Sequence, residues 1–426
     1  MGHISRFAMG LTSLLAFSTM ARADAPGLNT GDTAWVLVST CLVLMMTVPG
    51  LALFYGGLVR KKNVLSTLMQ SFAATCLVSL LWVFFGYSLA FGGSGAFIGD
   101  TSKFFLAGIT PDKLTGTIPE LLFMVFQMTF AIITPALICG AFADRMKFSA
   151  LLWFLAAWLL LVYCPVAHWV WGGGFLMQMG FKDFAGGTVV EINSGIAGLV
   201  AALMLGKRRG FPQEPMVPHN LVLSVTGASL LWVGWLAFNG GSALAANGTA
   251  TFALVNTQIA GAAGALAWMA IEWKKHNRPS VLGIISGAVA GMVAITPSCG
   301  FVAPLGALAI GLLAGLCCFW ASTTLKRKFG YDDSLDVFGV HGIGGFVGTI
   351  GIGLFGAAAF GGASGLIEGV STLLWIQILA CAIVAAWSGA LTFGILFVIE
   401  KIIGLRVDRQ TEIEGLDLNL HGEVVP

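Results

Sequence analysis

The chain has 426 residues, of which 57% are hydrophobic and only 10% are charged. A soluble globular domain carries about 25% charged residues, so this composition is typical of a membrane protein that spans a lipid bilayer. The formal net charge of +2 comes from 22 basic and 20 acidic residues. Charges this sparse and balanced argue against a nucleic-acid-binding surface.

The eight cysteines are scattered, include no C-x-x-C pair, and lie mostly inside apolar runs. This pattern predicts small core residues rather than metal ligands or disulfides. No nucleophile and base share a recognisable motif, so an enzyme is not expected. We therefore predict no metal site and no cofactor.

The first residues have the pattern of a secretory signal peptide. Arg6 is followed by an apolar stretch from Phe7 to Met20 and then by Ala21-Arg22-Ala23. We predict a signal peptide over residues 1–23, with cleavage before Asp24. The alternative is an uncleaved first transmembrane helix, but this stretch is shorter than the about 20 residues that a span needs. Cleavage would place the mature N-terminus outside the cytoplasm.

Eleven apolar stretches are candidates for membrane-spanning helices. They cover residues 34–58, 64–91, 120–143, 148–168, 184–206, 221–238, 251–273, 280–296, 304–325, 337–358 and 373–403, and are numbered as spans one to eleven. Spans six and eight are short enough to be re-entrant instead. An all-α membrane protein with eleven transmembrane helices is therefore predicted.

The basic residues orient these spans, because cytoplasmic loops carry an excess of lysine and arginine. Seventeen of the 22 follow odd-numbered spans: Arg60, Lys61, Lys62, Arg145, Lys147, Lys207, Arg208, Arg209, Lys274, Lys275, Arg278, Lys326, Arg327, Lys328, Lys401, Arg406 and Arg409. This alternation predicts a multi-pass protein of the bacterial inner membrane, with a periplasmic N-terminus and a cytoplasmic C-terminus.

The expected domain organisation is a transmembrane domain over residues 24–403 followed by a cytoplasmic tail over residues 404–426. No loop between spans is long enough for a soluble domain. The tail is charged and too short to bury a core of its own. It is either disordered or docked on the membrane-embedded part.

Spans five and ten contain related strings, VEINSGIAG from Val190 and VHGIGGFVG from Val340. In each string an ionisable residue, Glu191 or His341, is followed by glycine four and seven positions later, on the same helix face. The two spans are an odd number apart and so run in opposite directions. This indicates an inverted repeat of spans one to five and six to ten, plus a long eleventh helix. Chance is the alternative, since glycine is abundant.

Glu191 and His341 are both predicted to lie within the hydrocarbon layer, about 12 and 8 Å along helices that start near Asp183 and Asp336. Buried ionisable groups in a membrane are costly and usually functional, and each is the other's obvious partner. A carboxyl and an imidazole can share a proton. The pair therefore favours a small substrate that exists as a cation and as a neutral base.

Aromatic residues offer a second, weaker indication. Phe126, Phe130, Trp171, Trp235 and Phe238 are predicted at depths where a pore mouth could collect them, with Trp171 following span four. A ring face attracts a cation. Aromatic side chains at such spacing also occur in ordinary packing and in interfacial belts.

Five motifs, in order along the chain, carry a family resemblance. They are PGLALFYGG from Pro49, DFAGGTVV from Asp183, GWLAFNGGS from Gly234, DVFGVHG from Asp336, and the tail's EGLD from Glu414 with HGE from His421. Over nearly its whole length the chain resembles the ammonium transporter family (Amt/Mep/Rh), in its bacterial Amt type. The resemblance implies a homotrimer in the lipid bilayer, each protomer an eleven-helix bundle with its own hydrophobic pore.

By this resemblance, Trp171 and Ser242 would form an external ammonium site to which Phe126 adds a ring. Asp183 would orient this recruitment site by capping span five rather than by lining the pore. An acid before a helix N-terminus suits that role on physical grounds too.

The resemblance also implies that Phe130 and Phe238 stack as a gate above a pore pair. Most members have two histidines there, whereas this chain has Glu191 and His341, as some fungal members do. We expect Glu191 to share its proton with His341. The alternative is that Glu191 is permanently protonated and replaces the first histidine only in shape and hydrogen bonding. His168 is a different residue near the external mouth, interpreted as packing or a local hydrogen bond.

The expected function is transport of ammonium or ammonia across the inner membrane. The alternatives are a passive channel for ammonia or carbon dioxide and an ammonium sensor, although a sensor should carry a longer domain after span eleven. The tail resembles the family's cytoplasmic regulator, which in many bacteria works beside a PII signalling protein. The basic loops would suit such docking, but the positive-inside rule explains them without it.

Overall fold

The computed structural model describes residues 27–426, so the predicted signal peptide lies outside the described residues. Within them the fold is all-α apart from one two-stranded hairpin, Leu114–Thr115 with Ile118–Pro119. Ten helices are long and apolar enough to cross a membrane: Thr30–Leu58, Lys61–Phe91, Glu120–Phe142, Phe148–Gln178, Gly187–Leu205, Leu221–Gly241, Gly248–His276, Pro304–Phe329, Phe338–Phe355 and Thr372–Ile402. They occupy the predicted positions of every span except the eighth.

The eighth predicted span is a shorter apolar helix, Val281–Ile295, of 15 residues. From Gly287 onwards all its residues are buried, because it packs between spans seven and nine. Neighbouring helices rather than lipid therefore surround this half. Span six, also predicted to be short, is a 21-residue helix.

Span four extends further than predicted. Its helix continues through Cys164–Trp171, breaks at residues 172–174 and resumes as the short helix Phe175–Gln178, so Trp171 is the last helical residue before the break instead of following the span. The C-terminal turn of this helix therefore fixes the direction of the indole ring. Span five begins later than predicted, at Gly187.

Each of the eight cysteines is a free thiol, and five of them are buried: Cys139, Cys164, Cys299, Cys318 and Cys381. The predicted core role holds for those five. Cys41 and Cys76 lie instead on exposed helix faces, where an apolar run faces outward.

Buried ion pairs join the basic loops at one end of the helix bundle. Arg208 contacts both carboxylate oxygens of Asp332, at 2.8 and 3.0 Å, and Arg145 donates to the Asp332 carbonyl oxygen at 2.6 Å. Burial raises the pKa of the Asp332 carboxyl, but the Arg208 hydrogen bonds outweigh it and hold that pKa below its ordinary value. Burial lowers the pKa of Arg145 to about 10. These contacts fix the loops that frame this end of the bundle.

The tail is docked on this frame. It forms a short helix, Arg409–Glu414, and a single turn, Asp417–His421. The Asp417 carboxylate accepts hydrogen bonds from the backbone N–H groups of Leu65 and Ser66, at 3.0 and 2.8 Å. Of the two alternatives, disordered or docked, the second is correct.

Candidate functional site

Glu191 and His341 both lie in single π-helical turns, Gly187–Ile192 and Phe338–Gly342. Each turn opens a membrane-spanning helix. Such wide turns are rare and are often found at functional sites, because the extra residue per turn redirects side chains. The sequence pattern predicted ordinary helix here and gave no sign of the wider turn.

The structure brings the two ionisable residues together. His341 Nδ1 lies 2.7 Å from Glu191 Oε2, and the two side chains are only 5% and 1% exposed. This is hydrogen-bonding distance between an imidazole nitrogen and a carboxyl oxygen. One proton can therefore lie between them, donated by whichever partner holds it.

Glycines four residues after each ionisable residue permit this approach. A Cβ atom at Gly195 would lie 2.2 Å from the Gly342 nitrogen, and one at Gly345 would lie 2.9 Å from Glu191 Cβ. Any larger residue would push spans five and ten apart. The glycines on which the predicted repeat rests therefore lie where spans five and ten cross, and they allow the two helices to approach closely.

Asp183 caps span five. Its carboxylate accepts hydrogen bonds from the backbone N–H groups of Gly186, Gly187 and Thr188 at 2.7 to 2.8 Å, and from the Thr188 hydroxyl at 2.6 Å. A negative charge here satisfies the unpaired N–H groups at the helix start.

The equivalent cap on span ten is Asp333, which the sequence analysis missed. Its Oδ2 atom accepts from the Phe338 backbone N–H at 2.8 Å. Span ten begins next to Asp336, as predicted, with its first helical residue at Val337. The Asp336 side chain pairs with Lys326 at 2.8 Å instead of capping the helix. A signal was present, since Asp333 precedes His341 by eight residues as Asp183 precedes Glu191.

A narrow apolar cavity runs along the pair. Its lining includes Glu191, His341 and a set of apolar side chains: Met46, Leu51, Phe54, Ile133, Leu137, Val190, Leu231, Trp235, Phe238 and Val289. The cavity volume that the centre of a water-sized sphere can occupy is about 10 Å³. One water molecule needs about 10–15 Å³ by the same measure, so the passage admits small molecules in single file at most.

Four aromatic rings cluster at one end of this cavity, and one of them, Phe238, belongs to its lining. Phe130 and Phe238 are stacked with ring centroids 4.1 Å apart. Phe126 and Trp171 each meet Phe130 edge-to-face, at 5.1 and 5.9 Å. The predicted gate rings are thus in contact with each other and with two predicted recruitment residues.

The remaining predicted recruitment residues adjoin the rings. The Trp171 indole N–H donates to the Asp183 carbonyl oxygen at 2.9 Å, which ties the ring to the capping residue. The Ser242 hydroxyl donates to the Phe238 carbonyl oxygen at 2.7 Å. Its neighbour Gly241 lies against the Phe126 ring. All the predicted recruitment residues are therefore gathered at one mouth.

His341 also faces a wider cavity of about 480 Å³ at the opposite end. Its polar lining includes Tyr55, Arg208, Glu214, Glu272, Ser322, Lys326, Ser334 and Asp336. Glu191 lines only the narrow cavity, whereas His341 lines both. The imidazole is therefore the last ionisable side chain between the passage and this polar vestibule.

His168 is fully buried and makes local hydrogen-bonding contacts, as one of its two interpretations expected. Its ring nitrogens lie 2.9 Å from the Ala90 carbonyl oxygen and 2.5 Å from the Gly95 carbonyl oxygen. It does not line the narrow cavity.

Comparisons with known proteins agree with one another. The model of the Ammonium Transporter Family matches residues 34–425. An ammonium transporter of Bacillus subtilis is 50% identical over 397 residues, which cover 92% of this chain and 98% of that protein. The crystal structure of Candida albicans Mep2 superposes with a TM-score of 0.85 at 35% identity, covering 90% of this chain and 87% of that one. A structure titled Sensor Amt Protein gives a TM-score of 0.85 at 29% identity, covering 91% and 97%.

Proposed function

Since the chain belongs to the ammonium transporter family, we propose that it moves ammonium or ammonia across a bacterial cytoplasmic membrane through the narrow apolar cavity. The observation that carries this proposal is the 2.7 Å contact between Glu191 and His341 inside that cavity. A bare cation pays a large desolvation cost in such surroundings. A substrate that can leave its proton on a buried pair avoids that cost.

Recruitment takes place at the aromatic mouth. Trp171 and Phe126 offer ring faces, and Ser242 offers a hydroxyl oxygen that can accept from an ammonium N–H. A ring face attracts a cation by about 0.5–2 kcal/mol. Asp183 acts indirectly, because its hydrogen bonds fix both the Trp171 ring and the start of span five.

Below the mouth, Phe130 and Phe238 form the gate. Their stacked rings leave no open passage, so the substrate passes when the rings rotate. The gate excludes a continuous column of water and with it hydrated metal cations.

The proton is transferred at the pair. In the receiving state Glu191 is a carboxylate, His341 Nδ1–H donates to it, and His341 Nε2 is free to accept. Ammonium gives one proton to Nε2 and becomes ammonia, and the pair becomes a neutral carboxylate–imidazolium pair. Because Glu191 supplies the negative charge, this pair attracts ammonium more strongly than two neutral imidazoles would.

The orientation follows from the placement of basic residues. Arg208, Lys326 and Arg327 line the polar vestibule, and these positive side chains favour the cytoplasmic side. The aromatic mouth then faces the periplasm. The tail serves as a regulatory segment, and the vestibule with its basic rim suits a cytoplasmic partner such as a PII signalling protein. The assembly is a homotrimer.

Ammonium-evoked currents in proteoliposomes test the proposed function. An ammonium pulse should drive a transient inward current in the parent protein, and a potassium pulse of equal concentration should not. His341→Ala should abolish the current, because it removes the Nε2 atom that accepts the proton from ammonium in the proposed step. If the parent carried no current while an internal pH dye still reported ammonia entry, the protein would be a passive gas channel. The named relatives favour transport over sensing.

A further inference from the structure

His168 is a buried titratable residue that the proposed transport steps do not use. It lies in the last turn of span four, three residues before Trp171, and is fully buried. Each ring nitrogen is within hydrogen-bonding distance of one backbone carbonyl oxygen, Ala90 at 2.9 Å and Gly95 at 2.5 Å.

The chemistry of these two contacts restricts the protonation of the ring. A backbone carbonyl oxygen can only accept a hydrogen bond. A neutral imidazole has one N–H donor and one bare nitrogen, so it can satisfy one of the two carbonyls and repels the other. Both contacts are favourable only when both nitrogens carry a proton, which makes the ring an imidazolium.

The surroundings can stabilise such a charge. Ala90 lies in the last turn of span two and His168 in the last turn of span four, so two helix C-termini meet at the ring. A helix C-terminus carries a partial negative charge and favours a cation. The charged groups on segments packed against this region include Asp100, Lys103, Glu120, Asp183 and Glu191. None of these lies within hydrogen-bonding distance of the ring in residues 27–426.

The Gly95 contact belongs to a larger attachment. The carbonyl oxygens of residues 95–97 accept, in order, from the His168 ring, the Phe175 backbone N–H at 2.9 Å and the Trp169 indole N–H at 2.6 Å. We call this set of three contacts the loop latch. It holds the loop after span two against the helix end that presents Trp171.

We propose that His168 is held as an imidazolium and is a positioning residue for Trp171, acting through the loop latch. The effect on substrate affinity rests on the proposed function, whereas the protonation of the ring does not. The Trp169 indole N–H donates an uncharged hydrogen bond of the same loop latch. Substitution of Trp169 is therefore a matched control for substitution of His168. Trp169→Phe removes the donor but keeps a ring that packs against Phe175 and Trp387.

Nitrogen-15 NMR of histidine-labelled protein in lipid bilayers at pH 7.5 tests the protonation. A solvent-exposed histidine is mostly neutral at that pH. The His168 ring is identified by through-space contacts to carbon-13 carbonyls of Ala90 and Gly95, which requires no variant. Two protonated ring nitrogens are expected. One protonated and one bare nitrogen would overturn the proposal.

Transport kinetics test the positioning. A glutamine carries its donors on a single nitrogen, so His168→Gln leaves one of the two carbonyls without a donor. Its KM for ammonium should rise by more than about threefold with kcat nearly unchanged, as for a lost charge-assisted hydrogen bond. Trp169→Phe should change KM less and leave the His168 signals unaltered. A KM within about threefold of the parent in His168→Gln would overturn the positioning role. Absence of transport in the parent would count against the proposed function alone, because the NMR measurement of His168 protonation does not depend on transport.

Discussion

Asp183 and Asp333 occupy equivalent places in the two halves of the molecule. In each case the Oδ2 atom accepts from the backbone N–H five residues later, at 2.7 Å to Thr188 and 2.8 Å to Phe338. Each also precedes its pore residue by eight positions. The two caps differ in their second oxygen: Asp183 Oδ1 accepts two hydrogen bonds, whereas Asp333 Oδ1 is buried and has no hydrogen-bond partner among residues 27–426.

This difference predicts opposite responses to the same substitution. Asp183→Asn places an NH₂ group against the donors of Gly186 and Gly187 or of Thr188, so it should lower the unfolding free energy by about 3 kcal/mol. Asp333→Asn can place its NH₂ group at the unpartnered position and should keep or raise stability at pH 7. Unfolding in detergent micelles measures both. Equal destabilisation by the two variants would contradict the assigned contacts.

Stability should also depend on pH through Asp333. Burial raises the pKa of this carboxyl from 3.8 to about 6, although Lys326 acts against the shift. The folded state therefore holds this proton to higher pH than the unfolded state does. The contribution of Asp333 to the free energy of unfolding falls as pH rises from about 4 to 6. The expected loss is about 3 kcal/mol. Comparing the parent with Asp333→Asn across this window isolates the contribution, and parallel curves would refute it.

Gly195 should tolerate no side chain. In Gly195→Ala the new Cβ would lie 2.2 Å from the Gly342 nitrogen, so spans five and ten must separate. We expect at least about a tenfold loss of transport, because a displacement of this size disrupts a hydrogen-bonded pair. Gly394→Ala is the matched control, since a Cβ atom there meets no other atom within 4 Å. Uptake of labelled methylammonium, together with yield of folded protein, gives the comparison. Similar uptake by the two variants would rule out the close crossing as a requirement.

The docked tail depends on Asp417. In Asp417→Ala the backbone N–H groups of Leu65 and Ser66 lose their acceptor at a helix N-terminus. Stability of the docked state should fall by about 1–2 kcal/mol, and limited proteolysis should cut the tail sooner. Glu423→Ala alters an exposed side chain of the same tail and should have no effect. Unchanged proteolysis in Asp417→Ala would show that other contacts suffice.

Sequence reasoning succeeded where a feature repeats along the chain. Apolar length and the alternation of basic loops predicted the positions of ten long helices. The burial of two ionisable residues predicted that Glu191 and His341 are partners, so that spans five and ten meet. It failed where a feature depends on backbone geometry. The π-helical turns at Glu191 and His341 have no signature in residue type. Asp333 was not recognised as the cap because Asp336, which immediately precedes an apolar run, was taken for the start of span ten. The last turn of span four was missed because glycines follow Trp171 directly.

The central claim is that Glu191 and His341 accept a proton from ammonium as a unit. Its most direct test is the ammonium-evoked current of the parent, Glu191→Gln and Glu191→His in proteoliposomes between pH 5 and 8. Glutamine fills the same space and can hydrogen-bond to His341, but it cannot carry the negative charge. The current of Glu191→Gln should fall by at least about tenfold, and Glu191→His should retain current with a shifted pH profile. A Glu191→Gln current equal to the parent's at every pH would contradict the claim and leave Glu191 as a protonated spacer.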